Sequence, residues 1–504
     1  MPERTATDPA WAPHLPAGMA PDAVDLGAGS SLTGRWLAQW GADPGRPALV
    51  AGDGEEVSGA ELEARSRAAA ARLAAHGLVR GDRVLVSAAT SVDLVVAYVG
   101  ALRLGLVVVP VNTAYRAREV AHVVADAAPR AALVDDAERA GWVAEAAGDR
   151  PIPVLGVEVA GPTAPTPELG ACVGDDPALM LYTSGTTGLP KGAPLSHGNL
   201  LASALAVGLA WRWTPEDRLV LALPLFHLHG LGVGLHGTFA AGATAILRPG
   251  FEAGDVLDAA AAHRASLFFG VPTMYARLAR SGRLSELARL RLCVSGSAPL
   301  PAELHEQVAV EGGQRIVERY GMTETVMNVS NPHDGERRPG TVGLPLPGVE
   351  LRLAAGSGEI ELRGPNVFAG YWQRPEATAA SFDDRWFRTG DVGQLDDDGY
   401  LRIVGRSKEL IISGGYNVYP REVEDVLRAH PGVADVAVVG APDPEWGEVV
   451  VAHVEAAEAG VDEAALLAFG RERLAPYKRP KRVVFTDALP RNALGKVVKG
   501  DLPG

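Results

Sequence analysis

The sequence predicts an α/β protein with a large N-terminal domain of layered sheets and helices and a smaller C-terminal α+β domain. Short apolar runs alternate with alanine-rich helical stretches along most of the chain, as at residues 83–88, 219–225, 266–271 and 291–296. Such alternation is typical of largely parallel sheets that carry helices on their faces.

The pattern changes after residue 340. Short strand-like pieces follow, separated by turns at residues 356–358 and 396–399. Two βα-like units then occur around residues 433–440 and 481–489. Together these features predict a boundary near residues 405–408, and hence domains at residues 1–406 and 407–504.

Local signals predict the N-terminal elements in order. Ser58 and Glu61 have the spacing of a capping box, which begins a helix expected to run to about His76 and to end at Gly77. A buried strand is expected at residues 83–88. Residues 92–111 form an apolar window that is interrupted by charged residues and a proline, so we predict a buried helix followed by a strand, and no membrane span.

Composition excludes several classes of protein. The chain has 504 residues, 47 of them basic and 61 acidic, for a formal net charge of −14, and 47% of its residues are hydrophobic. Wholesale disorder, a nucleic-acid coat and an anionic-membrane binder are therefore not expected. Cys172 and Cys293 are too few for a disulfide scaffold or a thiolate zinc site, and both are expected in the core. The first 18 residues lack a secretory pattern, which predicts a cytoplasmic protein.

The strongest local signal is YTSGTTGLPKG at residues 182–192. It follows an apolar strand and contains three Thr, one Ser, three Gly and one Lys. Hydroxyls and glycine N–H groups can donate to a polyphosphate, and the lysine adds a positive charge. The spacing is not that of a Walker A loop. By composition alone, a flexible Ser/Thr/Gly linker is the alternative interpretation.

This ordered string resembles the phosphate-binding signature of the adenylate-forming superfamily, which includes acyl-CoA synthetases, peptide-synthetase adenylation domains and luciferases. Six further segments resemble that family's motifs in the same order along the chain. They are residues 295–300 (adenine wall), 318–325 (core motif), 386–391 (ribose strand), 405–408 (hinge), 413–420 (CoA-side loop) and 490–496 (catalytic lysine).

The resemblance implies the adenylate-forming fold, ATP and CoA as co-substrates, and Mg²⁺ as cofactor. It implies Lys496, Thr323 and Glu324 as catalytic residues, with Glu324 as the Mg²⁺ ligand, Thr323 on the α-phosphate, and Lys496 between that phosphate and the carboxylate. The implied ATP-binding residues are Thr183, Ser184, Gly185, Thr186, Thr187, Gly188, Lys191, Ser297, Ala298, Pro299, Glu318, Arg319, Tyr320, Gly321, Met322, Asp391 and Arg406.

For thioester formation, the resemblance implies a mobile C-terminal domain that turns about Lys408. The residues expected to face CoA are Ser413, Gly414, Gly415, Lys478 and Arg479. The last two belong to residues 471–482, which contain six Lys or Arg and one Glu. That cluster could dock the CoA phosphates, and a solvated charged face is the equal alternative.

Within the superfamily the chain most resembles malonyl-CoA synthetases. The matching strings are PLFHLHGLGVG, FFGVPTMYARL, VSGSAPLP, ERYGMTETVMNVSNPHDGERRPG and PNVFAGYW. A second carboxylate on the substrate needs a partner when buried, and an arginine fork matches it. The resemblance implies Arg277 for this role, with Arg291 in support, and His229, Ser297 and Met322 lining the acyl pocket. Another short-chain, medium-chain or aryl acid is the alternative substrate.

Other interpretations stay open at this stage. The His227–His229 pair could bind a metal but lacks a visible third ligand. Residues 232–237 satisfy G-x-G-x-x-G, the signature of a nicotinamide dehydrogenase, without a clean strand–turn–helix context. An inactive interaction module and an amino-acid or aryl-acid activating domain are further alternatives. We expect small-molecule partners, neither nucleic acid nor membrane, and a monomer or homodimer.

Overall fold

The computed structural model describes residues 9–159, 169–183, 190–413, 416–443, 446–492 and 495–502. The chain divides into two compact units. The first comprises Met1–Glu350 and Arg363–Arg385, and the second comprises Leu351–Leu362 and Trp386–Gly504.

The strands of the described residues are numbered in chain order. They are β1 (Pro47–Val50), β2 (Glu56–Ser58), β3 (Arg83–Ser87), β4 (Val107–Pro110), β5 (Ala131–Val134), β6 (Val154–Leu155), β7 (Pro177–Thr183), β8 (Lys191–Ser196), β9 (Arg218–Leu221), β10 (Thr244–Leu247), β11 (Leu267–Gly270), β12 (Leu292–Ser295), β13 (Val317–Tyr320), β14 (Val329–Ser330), β15 (Leu344–Pro345), β16 (Glu350–Leu353), β17 (Glu359–Arg363), β18 (Phe382–Asp383), β19 (Trp386–Leu395), β20 (Leu401–Arg406), β21 (Ile411–Ser413), β22 (Tyr416–Val418), β23 (Val433–Asp443), β24 (Gly447–Ala456) and β25 (Arg482–Phe485).

The α-helices are numbered in the same way. They are α1 (Leu32–Ala42), α2 (Gly59–Ala75), α3 (Val92–Arg103), α4 (Ala117–Ala127), α5 (Ala137–Ala147), α6 (His197–Ala210), α7 (His236–Ala241), α8 (Ala253–Ala262), α9 (Pro272–Arg280), α10 (Ala302–Gly312), α11 (Pro375–Ala380), α12 (Pro420–Arg428) and α13 (Glu463–Arg473).

The larger sheet of the first unit has nine strands in the order β15-β14-β13-β12-β11-β9-β10-β1-β2. From β13 to β1 every pair is parallel, as the alternating pattern predicts. Helices α8, α9 and α10 pack against this sheet and share one apolar core with it. That core contains Phe268 of β11, Tyr275 of α9 and Ile316, which directly precedes β13. The loops after β9, β11, β12 and β13 therefore meet at the carboxyl edge of the sheet.

The second sheet of the first unit has six strands in the order β6-β5-β3-β4-β7-β8. The pairs from β6 to β7 are parallel, whereas β7 and β8 form an antiparallel pair. Its core includes Leu85, Val109, Val124 and Val143. The antiparallel pair is important because it flanks the predicted phosphate-binding segment.

The second unit contains two smaller sheets. In one, β17 and β20 each pair antiparallel with β19. In the other, the order is β22-β21-β24-β23, with β25 parallel to β24. Helices α12 and α13 contribute Val423, Leu427 and Leu466 to the core of that sheet. The second unit therefore includes residues that precede the predicted boundary after residue 406, because β19 and β20 belong to it.

The expected βα-like unit around residues 433–440 is wrong. Strand β23 pairs antiparallel with β24 over most of its length, so this region is a hairpin. The turn-forming sequence between the two apolar runs, with Pro442, Asp443 and Gly447, leaves no room for a helix. Within the described part of the second unit, β24, α13 and β25 form a crossover between parallel strands. The α-helix of this crossover precedes β25 and no α-helix follows it in the described residues, so the βα-like unit expected around residues 481–489 is also wrong.

The local expectations for the N-terminal elements and the cysteines are confirmed. Ser58 and Glu61 form the capping box of α2, and Gly77 beyond its end has φ +81°. The apolar window is α3 followed by β4, and no helix among the described residues is long and apolar enough to cross a membrane. Cys172 and Cys293 are buried and unbridged, and burial raises the pKa of Cys293 to about 12.

Three buried histidines predict that the fold loses stability in mild acid. Burial is the largest cause that lowers the pKa values of His14 and His197 to about 4 and that of His236 to about 3. Below about pH 6.5 the unfolded chain binds protons on these imidazoles that the folded chain does not bind. The free energy of unfolding should therefore fall from pH 6.5 towards pH 4, by about 1.4 kcal/mol per pH unit for each group.

Urea unfolding between pH 7.5 and 4.5 measures this dependence. The variant His197→Gln should show a shallower slope over that window than the parent protein. An unchanged slope would show that this histidine is not among the groups responsible.

Candidate active site

The first unit gathers many of the predicted site residues at the carboxyl edge of its larger sheet. Gly270, Ser295 and Glu318 are register partners across β11, β12 and β13, so these strands end at similar heights. The segments that follow carry Arg277 on α9, the predicted adenine-wall segment at residues 295–300, and the core motif. Ligands of α/β sheets bind at this type of edge.

The phosphate-binding segment lies between two antiparallel strands. Thr183 ends β7, Lys191 begins β8, and the two are register partners. Five of the predicted phosphate-binding residues, Ser184 to Gly188, lie outside the described residues. The ε-ammonium of Lys191 lies 5.1 Å from the ring centroid of Tyr371, within the range of a cation–π contact.

Tyr371 also contacts the predicted magnesium ligand. Its hydroxyl donates to Glu324 Oε1 at 2.8 Å, and Glu324 is 6% exposed. Burial, followed by the negative charge of Glu324, raises the pKa of Tyr371, so the phenol stays a donor at neutral pH. Tyr371 therefore links Lys191 to Glu324. We did not single it out from the sequence, where its only signal is its place in PNVFAGYW.

Asp126 anchors the segment that carries Tyr371. Its carboxylate accepts hydrogen bonds from the Tyr182 hydroxyl and from Arg374, at 2.8 and 2.6 Å, and its backbone carbonyl accepts from Trp372 Nε1. The Trp372 amide also donates to the carbonyl of Gly192 at 2.8 Å. Residues 371–374 are thereby held against the base of the β7–β8 pair.

The adenine-wall segment has a constrained backbone. Ser297 has φ +69°, a conformation that non-glycine residues rarely adopt, and its Oγ lies 3.2 Å from His229 Nδ1. Beyond Ala298 and Pro299, the Leu300 amide donates to Glu318 Oε1 at 3.0 Å. Backbone strain of this kind occurs at functional sites.

The core motif turns sharply after β13. A Cβ atom on Gly321 would lie 2.1 Å from the carbonyl oxygen of Val326, so only glycine fits. The Tyr320 hydroxyl contacts the sulfur of Met322 at 3.7 Å, and Met322 and Thr323 are partly exposed on the turn. Thr323 is thus available to a ligand, as the resemblance implies.

His227 and His229 are both neutral at physiological pH. Burial and then the positive charge of Arg319 lower the pKa of His227 to about 4 and that of His229 well below its ordinary value. A π-helical segment runs from His229 to Leu235 and places His229 against Ser297. In the described ranges, no three His, Cys, Asp or Glu side chains are grouped to hold a metal ion, so the metal interpretation gains no support.

The two predicted substrate arginines differ in their surroundings. Arg277 is exposed on α9, and no carboxylate pairs with it in the part of the chain that is described. Arg291 instead forms a two-point ion pair with the buried Asp217 and donates to the carbonyls of Trp211 and Arg212. The guanidinium of Arg291 is therefore already engaged with the loop between α6 and β9, and its supporting role towards the substrate stays a prediction.

The G-x-G-x-x-G match has no nucleotide-binding context. Residues 232–237 lie within the π-helical segment and the start of α7 instead of joining a strand to a helix. All three glycines pack against neighbouring atoms at 2.7 Å or less from a hypothetical Cβ, which explains them as close helix contacts. The dehydrogenase interpretation is not supported.

The second unit carries the predicted ribose site. Asp391 and Arg406 are register partners on β19 and β20, and Arg406 Nε lies 3.0 Å from Asp391 Oδ1. Gly390 has φ +73° and donates its amide to Glu359 Oε1 at 2.9 Å, while Thr389 Oγ1 donates to the carbonyl of Ile360. These bonds fix the Thr-Gly-Asp turn.

Lys496 follows a turn organised by Asn492. The Asn492 amide donates to the Lys496 carbonyl at 2.9 Å, and the Lys496 amide donates to Asn492 Oδ1 at 3.0 Å. Lys496 is exposed overall, yet partial desolvation and then the charge of Arg406 lower its pKa. Three residues on, Lys499 pairs with Glu424 and Glu409. The pairing with Glu409 connects the segment that carries Lys496 to the neighbour of Lys408. Lys408 itself is exposed.

The predicted CoA-binding residues are mostly engaged within the second unit. Lys478 pairs with Glu422, and Arg479 donates to the carbonyls of Leu474 and Arg471. Ser413 is only 1% exposed, so its side chain is buried within the unit, and its contact with CoA stays a prediction. Gly414 and Gly415 lie outside the described residues.

Comparison with known proteins agrees with this geometry. The family profile described as AMP-binding enzyme matches residues 37–372, and that of the AMP-binding enzyme C-terminal domain matches residues 422–496. A feruloyl-CoA synthase of Amycolatopsis sp is 40% identical over 464 residues, covering 89% of this chain and 94% of that protein. A malonate–CoA ligase of Arabidopsis thaliana is 36% identical over 482 residues, covering 84% and 78%.

Solved structures are similar over almost the whole chain. ATP-bound MatB from Rhodopseudomonas palustris has a TM-score of 0.87 at 42% identity, covering 93% of this chain and 97% of that one. O-succinylbenzoate coenzyme A synthetase from Bacillus subtilis, solved with ATP and a magnesium ion, has a TM-score of 0.85 at 34% identity, covering 93% and 99%. From its profiles, relatives and structural neighbours, the chain belongs to the AMP-binding enzyme family and is an acyl-CoA ligase of the AMP-forming type.

Proposed function

We propose that this ligase adenylates malonate, or methylmalonate, and transfers the acyl group to CoA, giving malonyl-CoA, AMP and pyrophosphate. The observation that carries the substrate assignment is Arg277, whose guanidinium has no acidic partner among the described residues and lies beyond the carboxyl end of β11. The contact between His229 and Ser297 in the predicted acyl pocket supports a small polar acid. The malonate–CoA ligase relative also supports it.

A second candidate is another short-chain, medium-chain or aryl acid. The feruloyl-CoA synthase relative, which is 40% identical to this chain, favours it. The two candidates differ in whether the substrate carries a second carboxylate. The substrate panel below separates them.

The first half-reaction joins two anions, so catalysis needs positive charge and positioning. A carboxylate oxygen attacks the α-phosphorus of ATP, and pyrophosphate leaves with the electrons of the broken bond. Thr183, Lys191 and the segment between them would hold the β- and γ-phosphates, and Thr323 the α-phosphate. Glu324 would hold Mg²⁺, since a carboxylate with phosphate oxygens matches the hard-oxygen preference of that ion. When bound, the ion neutralises phosphate charge.

The second unit would supply the remaining groups. Asp391 would accept hydrogen bonds from the ribose hydroxyls, with Arg406 beside it. Lys496 would stabilise the charge that develops between the carboxylate and the α-phosphate. In the second half-reaction the CoA thiolate attacks the acyl carbonyl and AMP leaves, and Lys408 would be the pivot between the two states.

A panel of acids tests the substrate assignment. ATP–pyrophosphate exchange with malonate, methylmalonate, acetate, octanoate and benzoate should be strongest with one of the two malonates. Exchange with octanoate or benzoate and none with either malonate would make the proposal wrong.

Lys496→Ala should separate the two half-reactions. We expect malonate adenylation to fall about 10²-fold or more, because one preorganised charge is lost from the transition state. Thioester formation from supplied malonyl-AMP should survive. Arg402→Ala, an exposed charge loss in the same unit, is the matched control. Equal loss of both half-reactions would contradict the two-state scheme.

Tyr371→Phe should weaken the use of MgATP. The ring that contacts Lys191 is kept, but the hydrogen bond to Glu324 is lost, so we expect KM for MgATP to rise about tenfold. The effect should shrink as free Mg²⁺ is raised. Tyr115→Phe, which removes a partly buried hydroxyl elsewhere in the same unit, is the control. An unchanged Mg²⁺ dependence would contradict a positioning role for Tyr371.

A further inference from the structure

Two carboxylates face each other on the sheet of the second unit that carries α12 and α13. Asp435 of β23 and Glu455 of β24 are register partners of an antiparallel pair, and each side chain is 20% exposed. Like charges directly opposite each other destabilise such a pair. The guanidinium of Arg491 offsets this repulsion, because its Nη2 contacts Asp435 Oδ2 and lies 3.8 Å from Glu455 Oε2.

The same guanidinium fixes the turn that precedes Lys496. Its Nη1 donates to the carbonyl oxygen of Gly495 at 3.0 Å. That oxygen and the Lys496 amide belong to one peptide group, and the amide donates to Asn492 Oδ1 at 3.0 Å. Side chains therefore hold both ends of this planar group, which restricts the direction in which the backbone enters Lys496.

The Lys496 segment (residues 489–499) is anchored near both of its ends by ion pairs. Arg491 holds it to the β23–β24 hairpin, and Lys499 pairs with Glu424 of α12 at 2.7 Å. Of the cations in this segment, only Lys496 has no ion-pair partner among the residues that the structure describes. The flanking cations thus hold the segment, while the charge of Lys496 stays available to a ligand.

The anchor on Asp435 persists at neutral pH because this carboxyl group is ionised. Burial by itself would raise the pKa of Asp435, but the charge of Arg428 and the hydrogen bond from Arg491 outweigh it, so the pKa lies below its ordinary value. Arg428 lies on α12 and donates to Asp435 Oδ1 through Nε and Nη2, at 3.2 and 3.1 Å. Two arginines therefore share this carboxylate, and only Arg491 belongs to the Lys496 segment.

We propose that Arg491 is a positioning residue for adenylation: anchored on two facing carboxylates, it fixes the peptide group before Lys496 and so directs the lysine side chain. This inference rests on the role proposed for Lys496 above and deepens it. A lysine carries its charge on a flexible four-carbon stem, so the charge reaches a defined point only when the backbone beneath it is fixed. Where a reaction depends on positioning, a displacement of about 1 Å can lower the rate about 10²-fold.

A double-mutant cycle tests this role. ATP–pyrophosphate exchange with malonate, or with the acid that the substrate panel identifies, measures adenylation. In Arg491→Met we expect kcat to fall about tenfold or more, with KM for ATP and for the acid within about twofold, because Lys496 acts in the transition state. In the Lys496→Ala background the same change should have less than about a twofold effect, since Arg491 acts through Lys496. An unchanged kcat in Arg491→Met, or losses that multiply in the double variant, overturn the inference.

A matched arginine and the second half-reaction separate positioning from general damage. Arg428→Met removes the other cation on Asp435 and should keep exchange within about twofold of the wild type. Arg491→Met should form the thioester from supplied acyl-AMP at the wild-type rate, because the proposed scheme does not use Lys496 in that step. Equal losses in the two arginine variants, or in the two half-reactions of Arg491→Met, would show that Arg491 only stabilises the unit.

Arg491→Lys keeps the inference testable if Arg491→Met is too unstable to assay. It retains a positive charge between Asp435 and Glu455, so its Tm should lie close to that of the wild type. One ammonium group cannot replace a fork that reaches Gly495 and Asp435 together, so exchange should still fall about fivefold or more. Wild-type exchange in Arg491→Lys would mean that the charge alone matters, and the positioning role would be wrong.

Lys496→Ala decides the proposed function separately. If this variant keeps full exchange activity, the catalytic role of Lys496 is wrong, and the positioning role of Arg491 is wrong with it. If Lys496→Ala loses exchange while Arg491→Met retains it, only the inference about Arg491 is wrong. The identity of the acid affects neither result.

Discussion

The parallel register of β11, β12 and β13 is the constraint on which the candidate active site depends. It brings the ends of these strands to similar heights, so the turns that follow them share one edge of the sheet. The register also decides which side chains face which surroundings. Glu318 accepts from the Leu300 amide, while its neighbour Arg319 packs against Gly296. Because successive residues of a strand face opposite sides, a slip of one residue would exchange these two charges.

The sequence predicted what depends on neighbours along the chain. The capping box of α2, the buried helix α3 and the parallel sheets all follow from local periodicity and turn chemistry, and the structure has them. The βα-like unit at residues 433–440 failed because an apolar run predicts a strand but not the direction of the strand that pairs with it. Pairing direction depends on the next element, which here is β24.

Interactions between distant residues could not be predicted in this way. Arg291 is 74 residues from Asp217 in the sequence and Lys478 is 56 residues from Glu422, so both looked like free cations. Tyr371 is 47 residues from Glu324 and looked like an ordinary aromatic residue. Motif spacing identifies which segments carry chemistry, but only packing shows which charges are already neutralised. For this reason the sequence overestimated the number of cations available to anionic ligands.

The cations that packing leaves unpaired are informative because the net charge is −14. A protein with an excess of acidic residues has many carboxylates that could neutralise a buried guanidinium. Pairing Arg319 with one, or replacing it with an apolar residue of similar size, would relieve the cost of burying its charge. Residues that lower stability without a structural partner are expected where function needs them. Arg319, whose Nε and Nη2 have no hydrogen-bond partner among the described residues, thus carries a cost to stability that those residues do not offset, which places it among the residues kept for the chemistry of the site.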